Sequence, residues 1–339
     1  MHDRRTFLKA AAAASLAPAL ARCAGPSPLP EQPWLDAAFR KPQRSTIVVA
    51  TATDYDGRLA DVVRRGIELF KLDVRGKRVV LKPNFVEFDP NSAINTNPIL
   101  IAATIEAFRS LGAAAVTIAE GPGHRRDNEY VLGASGLLDT IRDANAGYVD
   151  LNVDAVRPIR AGSNYTRLGT LYVGETIANA DLLVSMPKMK THHWAGVTLS
   201  LKNMFGIMPG AIYGWPKNVL HFAGIENSIL DINAALTVPR FNIMDGIIGM
   251  EGNGPIQGVA RRSGVLVFGQ DPVAVDATSA RLMGIEPTHI WYLGQADRFL
   301  GNIADDRIDQ RGEALESLIQ EYALIEPMRR LRPRLTGAG

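Results

Sequence analysis

Short apolar runs alternate with amphipathic stretches along most of the chain. Runs of adjacent hydrophobic residues are typical of buried strands, and hydrophobic positions spaced three or four apart are typical of helices. The predicted strands are 46–50, 78–81, 114–118, 148–153, 181–184, 241–244 and 265–268, with a hairpin at 167–173. The predicted helices are 61–72, 97–110, 128–143, 271–284 and 287–299, with another around Leu230. This alternation predicts an α/β fold with a doubly wound, mainly parallel sheet and helices on both faces.

Two of the predicted helices have a distinct start signal. Asn97 and Asp271 are residue types that cap helix N-termini, and each is followed by proline, which is favoured at the first helical position. Asp271 therefore has two interpretations, a helix cap or a metal ligand.

The glycine-rich segment (residues 204–224) interrupts the strand and helix pattern, since it contains four glycines and two prolines. We interpret it as an inserted, mobile flap. Exposed Tyr213 and Trp215 would indicate that the flap docks another chain. Inward packing of both rings would instead indicate a lid over a substrate.

The first residues have the layout of an export signal. A positively charged start with the pair Arg4 and Arg5 leads into an alanine-rich apolar stretch that ends in small residues at Ala21. This layout predicts a signal peptide, and the paired arginines resemble a twin-arginine signal read by the twin-arginine export machinery. We expect a periplasmic or secreted protein after cleavage near Ala21. Lipoprotein anchoring at Cys23 is less favoured, because Arg22 stands where a small residue is needed.

These features give four predicted segments. Residues 1–21 form the signal peptide and residues 22–43, rich in proline and alanine, form a linker or arm. Residues 44–303 form a single α/β domain, and residues 304–339 form a C-terminal extension.

Charge and cysteine content exclude two classes of function. The formal net charge is +2, and removal of the signal peptide would take away three basic residues and one acidic residue, leaving a neutral chain. No global positive field therefore favours nucleic acid as a partner. Cys23 is the single cysteine, so the chain cannot hold an iron–sulfur cluster with its own cysteines.

Polar residues follow most of the predicted strands at the point where the strand ends. Parallel strands place their carboxyl ends at one edge of the sheet, and ligands of open α/β sheets bind in the crevice there. We therefore expect a single charged pocket formed by turns that lie far apart in the sequence. The residues at these turns are Lys82, Asn84, Glu120, Lys188, Lys190, His192, Lys202, Asn203, Asp245, Glu251, Asn253 and Asp271.

The residue types suggest three roles in this pocket. Lys82, Asn84, Lys188, Lys202, Asn203 and Asn253 are candidates to bind a phosphate or carboxylate. Lys190, His192 and Glu120 are candidates for proton transfer, and Asp245, Glu251 and Asp271 are candidate ligands for a divalent cation. His192 and His193 should point to opposite sides of a strand, so at most one of them should face the pocket. Asp245 with Gly246 is also compatible with a plain tight turn.

Motifs of several large enzyme classes are missing from the sequence. It contains no dinucleotide-binding glycine pattern, no Walker loop, no Gly-x-Ser-x-Gly elbow and no His-Glu-x-x-His zinc helix.

An ordered set of longer motifs does carry a resemblance. These motifs are KPN (82–84), TNP (96–98), EG (120–121), PKMKTH (187–192), LKN (201–203), FG (205–206), DGIIGMEGNGP (245–255) and DPVAVD (271–276). Together they are similar to the domain of unknown function family 362 over about residues 45–300. The resemblance implies no settled reaction. Some relatives carry ferredoxin-like cysteine modules, so the resemblance also implies a redox protein as a candidate partner.

The sequence therefore supports one leading hypothesis and two alternatives. The leading hypothesis is an exported enzyme that acts on a small anionic ligand, with a divalent metal as a candidate cofactor. The first alternative is a periplasmic binding protein that captures the same anion without catalysis. The second is an accessory partner of a redox or iron–sulfur protein.

Overall fold

The computed structural model describes residues 30–123 and 128–333. The predicted signal peptide and Cys23 lie outside these residues. The chain divides into two compact units, residues 1–33 and 34–339, and the fold described here is that of the second unit. No helix among the described residues has the length and hydrophobicity needed to cross a membrane.

One large sheet runs through the second unit. Its strands are β1 (Ser45–Thr51), β2 (Arg78–Pro83), β3 (Ala115–Glu120), β4 (Gly147–Asp150), β7 (Leu182–Met186), β8 (Lys188–His192), β9 (Gly196–Thr198), β10 (Arg240–Asn253), β11 (Gln257–Gly269) and β12 (Ile308–Gly312). Their order is β12-β1-β11-β10-β7-β2-β3-β4, with β8 paired to β10 and β9 paired to β8. β5 (Val156–Arg160) and β6 (Thr170–Gly174) form a separate antiparallel hairpin.

Most strand pairs of the large sheet are parallel. β10, β7, β2, β3 and β4 run in one direction along half of the sheet. β11 is antiparallel to both of its neighbours, β10 and β1, whereas β12 is parallel to β1. The structure thus confirms the predicted α/β fold with a mainly parallel sheet, and it adds two antiparallel strands, β11 within the sheet and the short β9 beside β8.

Eleven α-helices connect or follow these strands in the described part of the chain. They are α1 (Leu59–Glu68), α2 (Pro98–Ser110), α3 (Asn128–Ala134), α4 (Leu137–Asp143), α5 (Glu175–Ala178), α6 (Ser200–Asn203), α7 (Gly210–Tyr213), α8 (Asn218–Phe222), α9 (Ile225–Ala235), α10 (Pro272–Leu282) and α11 (Trp291–Asp297). Short 3-10 helices lie at Asp36–Ala38, Met204–Ile207, Pro287–His289, Asp305–Arg307, Leu315–Ser317 and Glu326–Leu331.

Helices cover the sheet on both faces. Gly66 of α1 lies so close to the ring of Phe268 that a side chain there would meet the ring at 2.7 Å. The next residue of β11, Gly269, faces the other way and lies against Ile47 and against Val275 of α10. Because successive residues of a strand point to opposite faces, α1 and α10 pack on opposite faces of the sheet.

The compact unit is longer at both ends than the predicted domain 44–303. Trp34 stacks on Phe299 with ring centroids 4.8 Å apart, so the body already begins within the predicted arm. At the other end, β12 pairs with β1, and the buried Tyr322 shares a hydrogen bond of 2.8 Å with Ser263. Residues 304–333 therefore complete the sheet and its packing.

Two predicted elements differ in detail. The predicted helix 128–143 is two helices, because Gly136 adopts a positive φ of 79° between α3 and α4. The glycine-rich segment consists of short helices that pack against the body. Tyr213 is 4% exposed and its hydroxyl accepts a hydrogen bond from Tyr172 N, whereas Trp215 is 44% exposed. The two rings therefore form neither an exposed docking pair nor a fully inward-packed lid.

Candidate functional site

A cavity of about 500 Å³ opens at the carboxyl ends of β2 and β3. Seven of the predicted site residues line it: Lys82, Asn84, Glu120, His192, Lys202, Asn203 and Asn253. Other cationic, histidine and aromatic side chains complete the wall, namely Lys217, His193, His221, Trp194 and Phe205. The turns at 82–84, 120–123, 192–194 and 253–257 thus meet in one place, as their positions after the strands predict.

A buried ion pair forms one wall of the cavity. Lys82 Nζ lies 2.7 Å from Glu120 Oε1 and 2.8 Å from Oε2, and both side chains are almost completely buried. The two carboxylate oxygens also accept hydrogen bonds from the amides of Phe85 and Gly121. Burial raises the pKa of Glu120, and the Lys82 ammonium and these amides oppose that rise. The pair neutralises the charge of Lys82, so Lys82 is not free to hold an anion.

Two neighbours fix the position of Lys82. Asn203 Oδ1 accepts a hydrogen bond of 3.3 Å from Lys82 Nζ, and Asn203 Nδ2 donates to Lys82 O at 3.0 Å. Gly206 provides the space, because a Cβ at this position would lie 2.5 Å from Lys82 Nζ. Asn203 of the LKN motif (201–203) and Gly206 therefore hold Lys82 in the ion pair, and Asn203 is a positioning residue.

Lys202 presents a charge without a carboxylate partner. It lies in α6, and none of the described residues forms an ion pair or a hydrogen bond with its ammonium group. The ammonium lies 5.3 Å from the centre of the Phe205 ring, a distance at which the ring face attracts a cation. Burial lowers the pKa of Lys202 to about 8. Lys202 is thus placed to take an external anion.

Lys217 is a second lysine of the cavity that contacts no carboxylate of the described chain, and the sequence analysis did not identify it. Its Nζ donates to Asn152 Oδ1 at 2.9 Å and to the carbonyl of Met208, and no carboxylate of the described chain contacts it. Burial lowers the pKa of Lys217 to about 7. The side chain is 2% exposed although the residue lies in the glycine-rich segment, which we had interpreted as a mobile flap. A buried lysine in an irregular segment leaves no periodic signal in the sequence.

His192 is held as a hydrogen-bond donor. Its Nδ1 accepts hydrogen bonds from the amides of Trp194 and Ala195, at 3.0 and 3.1 Å, and must therefore be unprotonated. Burial and then the nearby Lys202 lower the pKa of His192 well below its usual value, so the ring is neutral. The remaining proton must be on Nε2. Of the two directions of proton transfer, this arrangement favours donation by His192 to a ligand over acceptance of a proton from it.

Aromatic rings form the outer part of the cavity. His193 and Trp194 meet edge to face with ring centroids 4.5 Å apart, and Phe205 and His221 do so at 5.3 Å. Both His192 and His193 line the cavity, although strand alternation predicted that at most one would. The reason is that β8 ends at His192, so the alternation does not extend to His193.

Two polar atoms in the cavity wall have unused hydrogen-bonding capacity. Asn84 Oδ1 and Thr198 Oγ1 are buried and have no hydrogen-bond partner among the described residues. Buried polar atoms are nearly always paired in folded proteins, so unpaired ones call for a physical reason. A wall that accommodates an external polar group is one such reason.

Lys188 and Asp245 belong to a different cluster. Lys188 Nζ donates to Asp245 Oδ2 at 2.8 Å, to Ile248 O at 2.9 Å and to Tyr55 Oη at 3.1 Å. The Tyr55 hydroxyl donates to Asp245 Oδ1 at 2.7 Å and accepts from Ile248 N. The cluster borders a smaller cleft of about 170 Å³. The cluster supplies hydrogen-bond partners to the backbone of Ile248, where the pairing of β10 with β11 shifts register. This indicates a structural role.

The remaining predicted site residues lie elsewhere. Lys190 Nζ donates to Ile94 O at 2.8 Å and does not line the cavity. Glu251 accepts a hydrogen bond from Ala323 N at 2.9 Å. Asp271 caps α10 through Val273 N and accepts from Ser45 Oγ at 2.6 Å, which confirms the helix-cap interpretation.

The structure does not bring the three predicted metal ligands together. Asp245 is engaged by Lys188, Glu251 lies beyond the register shift of β10, and Asp271 follows a strand that is antiparallel to β10. The carboxyl end of β11 is therefore at the opposite edge of the sheet from the cavity. Within residues 30–123 and 128–333, no group of three or more His, Cys, Asp or Glu side chains is arranged to hold a metal ion.

Comparison with known proteins identifies relatives of the chain. It is 26% identical over 235 residues to the thylakoid-associated protein sll1697 of Synechocystis sp., a match that covers 66% of this chain and 68% of the relative. A solved protein of Thermotoga maritima is 12% identical with a TM-score of 0.36, covering 63% of this chain and 56% of that one. The lactate racemase apoprotein of Thermoanaerobacterium thermosaccharolyticum is 16% identical with a TM-score of 0.37, covering 62% and 52%. The chain thus spans about half the length of these two solved structures.

A family match covers the site itself. Residues 79–281 match the family described as Domain of unknown function (DUF362). This range is more than half of the chain and includes Lys82, Glu120, His192, Lys202 and Lys217. The protein belongs to the DUF362 family.

Proposed function

We propose that the cavity binds a small anion that carries a carboxylate or a phosphate group. The observation that carries this proposal is the charge distribution of the wall. Lys202 and Lys217 line one cavity, and neither contacts a carboxylate in the described chain, whereas Lys82 is neutralised by Glu120. Buried ammonium groups without a counter-ion are costly unless a ligand supplies the negative charge.

The other features of the cavity agree with a small ligand. A volume of about 500 Å³ lies within the range of small-molecule sites. His192 Nε2–H adds a neutral donor beside Lys202, and Asn84 and Thr198 add unpaired polar atoms. The rings of Trp194 and Phe205 supply apolar surface for the uncharged part of the ligand.

The two lysines favour an enzyme over a simple binding protein. Burial lowers the pKa of Lys217 to about 7 and that of Lys202 to about 8, so both amines change protonation near neutral pH. Groups that titrate near the working pH are the efficient ones for proton transfer, and a binding site for an anion gains nothing from a lysine that loses its charge. We therefore propose that the protein is an enzyme and not a protein that only binds the anion. Recovery of a chemically unaltered ligand in native mass spectrometry would favour the binding protein instead.

Replacing Lys202 by methionine tests the proposed anion site. We expect Lys202→Met to weaken the binding of acetate and of inorganic phosphate about 10-fold, which corresponds to about 1.4 kcal/mol, because it removes one charge from the cavity. Isothermal titration calorimetry near pH 7 measures the change. Lys77→Met is the matched control, since Lys77 pairs with Asp73 on the surface and does not line the cavity. Equal affinities in the wild type and Lys202→Met would contradict the site.

We also propose that the chain is exported by the twin-arginine route. The support is the sequence pattern of residues 1–21. When the full-length chain is expressed in a bacterial host, we expect the protein in the periplasmic fraction. Mass spectrometry should show that it has been cleaved near Ala21. Lysine substitution of both Arg4 and Arg5 should keep the uncleaved chain in the cytoplasm. Full-length wild-type protein found in the cytoplasm alone would overturn this proposal.

A further inference from the structure

Lys217 differs from the buried Lys82 and Lys188 in how many of its protons are used, and it differs from Lys190, which has one acceptor, in lining the cavity. Lys82 Nζ has three acceptors, Pro83 O, Glu120 and Asn203 Oδ1. Lys188 Nζ also has three, as the structural cluster around Asp245 shows. Lys217 Nζ has two, Asn152 Oδ1 and Met208 O.

The two acceptors fix the amine of Lys217. A neutral amine has two N–H bonds and one lone pair in a tetrahedral arrangement about nitrogen. When Asn152 Oδ1 and Met208 O receive the two hydrogens, the lone pair takes the remaining direction. Asn152 Oδ1 is itself held by a hydrogen bond from Gly210 N at 3.1 Å. Lys217 is one of the residues that line the cavity, and Nζ has no further acceptor among the described residues.

The backbone of Lys217 is held in an unusual conformation. Its φ is 68° and its ψ is 49°, which lie in the left-handed region that residues other than glycine rarely adopt. The carbonyl of Lys217 accepts hydrogen bonds from Leu220 N at 3.1 Å and from His221 N at 3.2 Å. Glycine would adopt this conformation without strain, so the position keeps a lysine at a conformational cost.

A second lysine in the cavity can hold a charge while Lys217 is neutral. Burial lowers the pKa of Lys202 to about 8 and that of Lys217 to about 7. A protonated Lys202 together with a neutral Lys217 gives the cavity a cation and a nucleophile at the same time.

We propose that Lys217 is a nucleophile that forms an imine with a small 2-oxo carboxylate. This inference rests on the proposed anion site, because Lys202 would hold the carboxylate of the ligand. The lone pair of Nζ forms a bond to the carbonyl carbon, and the π electrons of that bond move to the oxygen. The carbinolamine then loses its oxygen as water, which takes up the two amine hydrogens, and an imine remains. His192 Nε2–H is the donor available to the carbonyl oxygen.

Reductive trapping tests this inference. The full-length chain is incubated with pyruvate and sodium cyanoborohydride near pH 7.5, and intact-mass analysis counts the reduced adducts. Peptide mapping by tandem mass spectrometry then locates them. We expect one adduct on Lys217, formed at least about 10-fold faster than on any other lysine. Lys217→Arg, which keeps a positive charge but lacks a nucleophilic amine, should lose it, and Lys77→Met should retain it.

The outcomes separate this inference from the proposed anion site. Pyruvate binding without cyanoborohydride, measured by calorimetry, reports on the anion site alone. Binding without an adduct on Lys217, or with adducts spread over surface lysines, would overturn the inference. If pyruvate does not bind, propionaldehyde replaces it, since a neutral aldehyde needs no cationic partner. Selective labelling of Lys217 by propionaldehyde would then support the nucleophile, and unselective labelling would overturn it. Peptide mapping of the wild-type protein shows which lysine carries the adduct, so the test does not depend on the folding of a variant.

Discussion

Lys188→Met is expected to lower the free energy of unfolding by about 3–5 kcal/mol. The substitution leaves the buried Asp245 without its cationic partner, and it removes the donor that Ile248 O receives in the register shift of β10. Breaking one side of a buried ion pair is far more damaging than its net contribution suggests, because the remaining charge is uncompensated. Chemical denaturation followed by far-ultraviolet circular dichroism measures the loss.

A matched ion pair on the surface is the control for this prediction. Lys77 Nζ lies 2.9 Å from Asp73 Oδ2, and both side chains are substantially exposed. Lys77→Met should therefore change the stability by less than about 1 kcal/mol. Combining Lys188→Met with Asp245→Leu should recover much of the loss, since both buried charges are then absent. A Lys188→Met protein as stable as Lys77→Met would show that Asp245 carries no charge that needs a partner.

Acetate affinity is expected to fall about 100-fold between about pH 6 and about pH 9.5, which corresponds to about 2.7 kcal/mol. Acetate stays ionised over this range, so the change reports on the protein. Anion binding favours the charged form of a lysine, which is present below its pKa. Affinity is thus highest below about 7, the pKa of Lys217, and falls as the pH passes this value and then about 8, the pKa of Lys202. His192 is neutral throughout and adds no step.

Two measurements check the origin of this pH dependence. Titration calorimetry near pH 7.5 in buffers of different ionisation enthalpy should show proton uptake on binding, because the bound anion raises the pKa of both lysines. Lys202→Met should retain the step near pH 7 and lose the step near pH 8. The other charged or ionisable groups near the two lysines are Lys82, Glu120, Asp150, Lys190, His193 and His221. An affinity that is constant with pH would contradict the assignment to these lysines.

The sequence predicted that Lys82 and Glu120 lie in one pocket for a sound physical reason, although it did not predict their ion pair. Each residue lies near the carboxyl end of an apolar strand, and β2 and β3 are adjacent and parallel. The side chains at those ends must then be neighbours. His192 also lines the cavity, but the predicted strand ended at Val184, whereas His192 lies at the end of β8, a strand that the sequence pattern did not predict.

The same argument did not apply to Asp271. It follows the apolar strand β11, but this strand is antiparallel to both neighbours, and the direction of a buried strand is not encoded in its hydrophobic pattern. Asp245 was misplaced for a related reason. The predicted strand ended at Met244, whereas β10 continues to Asn253 through a register shift, so Asp245 lies inside the strand.

Lys217 shows the other limit of the sequence reasoning. Gly214 and Pro216 precede it, and these residue types predict turns but do not show which way a side chain points. The burial of Lys217 depends on contacts with Asn152 and Met208, which come from separate parts of the chain. Such tertiary contacts have no local pattern that a single sequence could reveal.

The pairing of β1 has a consequence for biosynthesis. β1 is the first strand of the sheet, and its two neighbours, β11 and β12, are the last two. During translation β1 has no strand partner until β11, the first of its two neighbours to be synthesised, has left the ribosome. Its hydrophobic side chains and open backbone groups are exposed for that time, which is the situation in which nascent chains need chaperone protection.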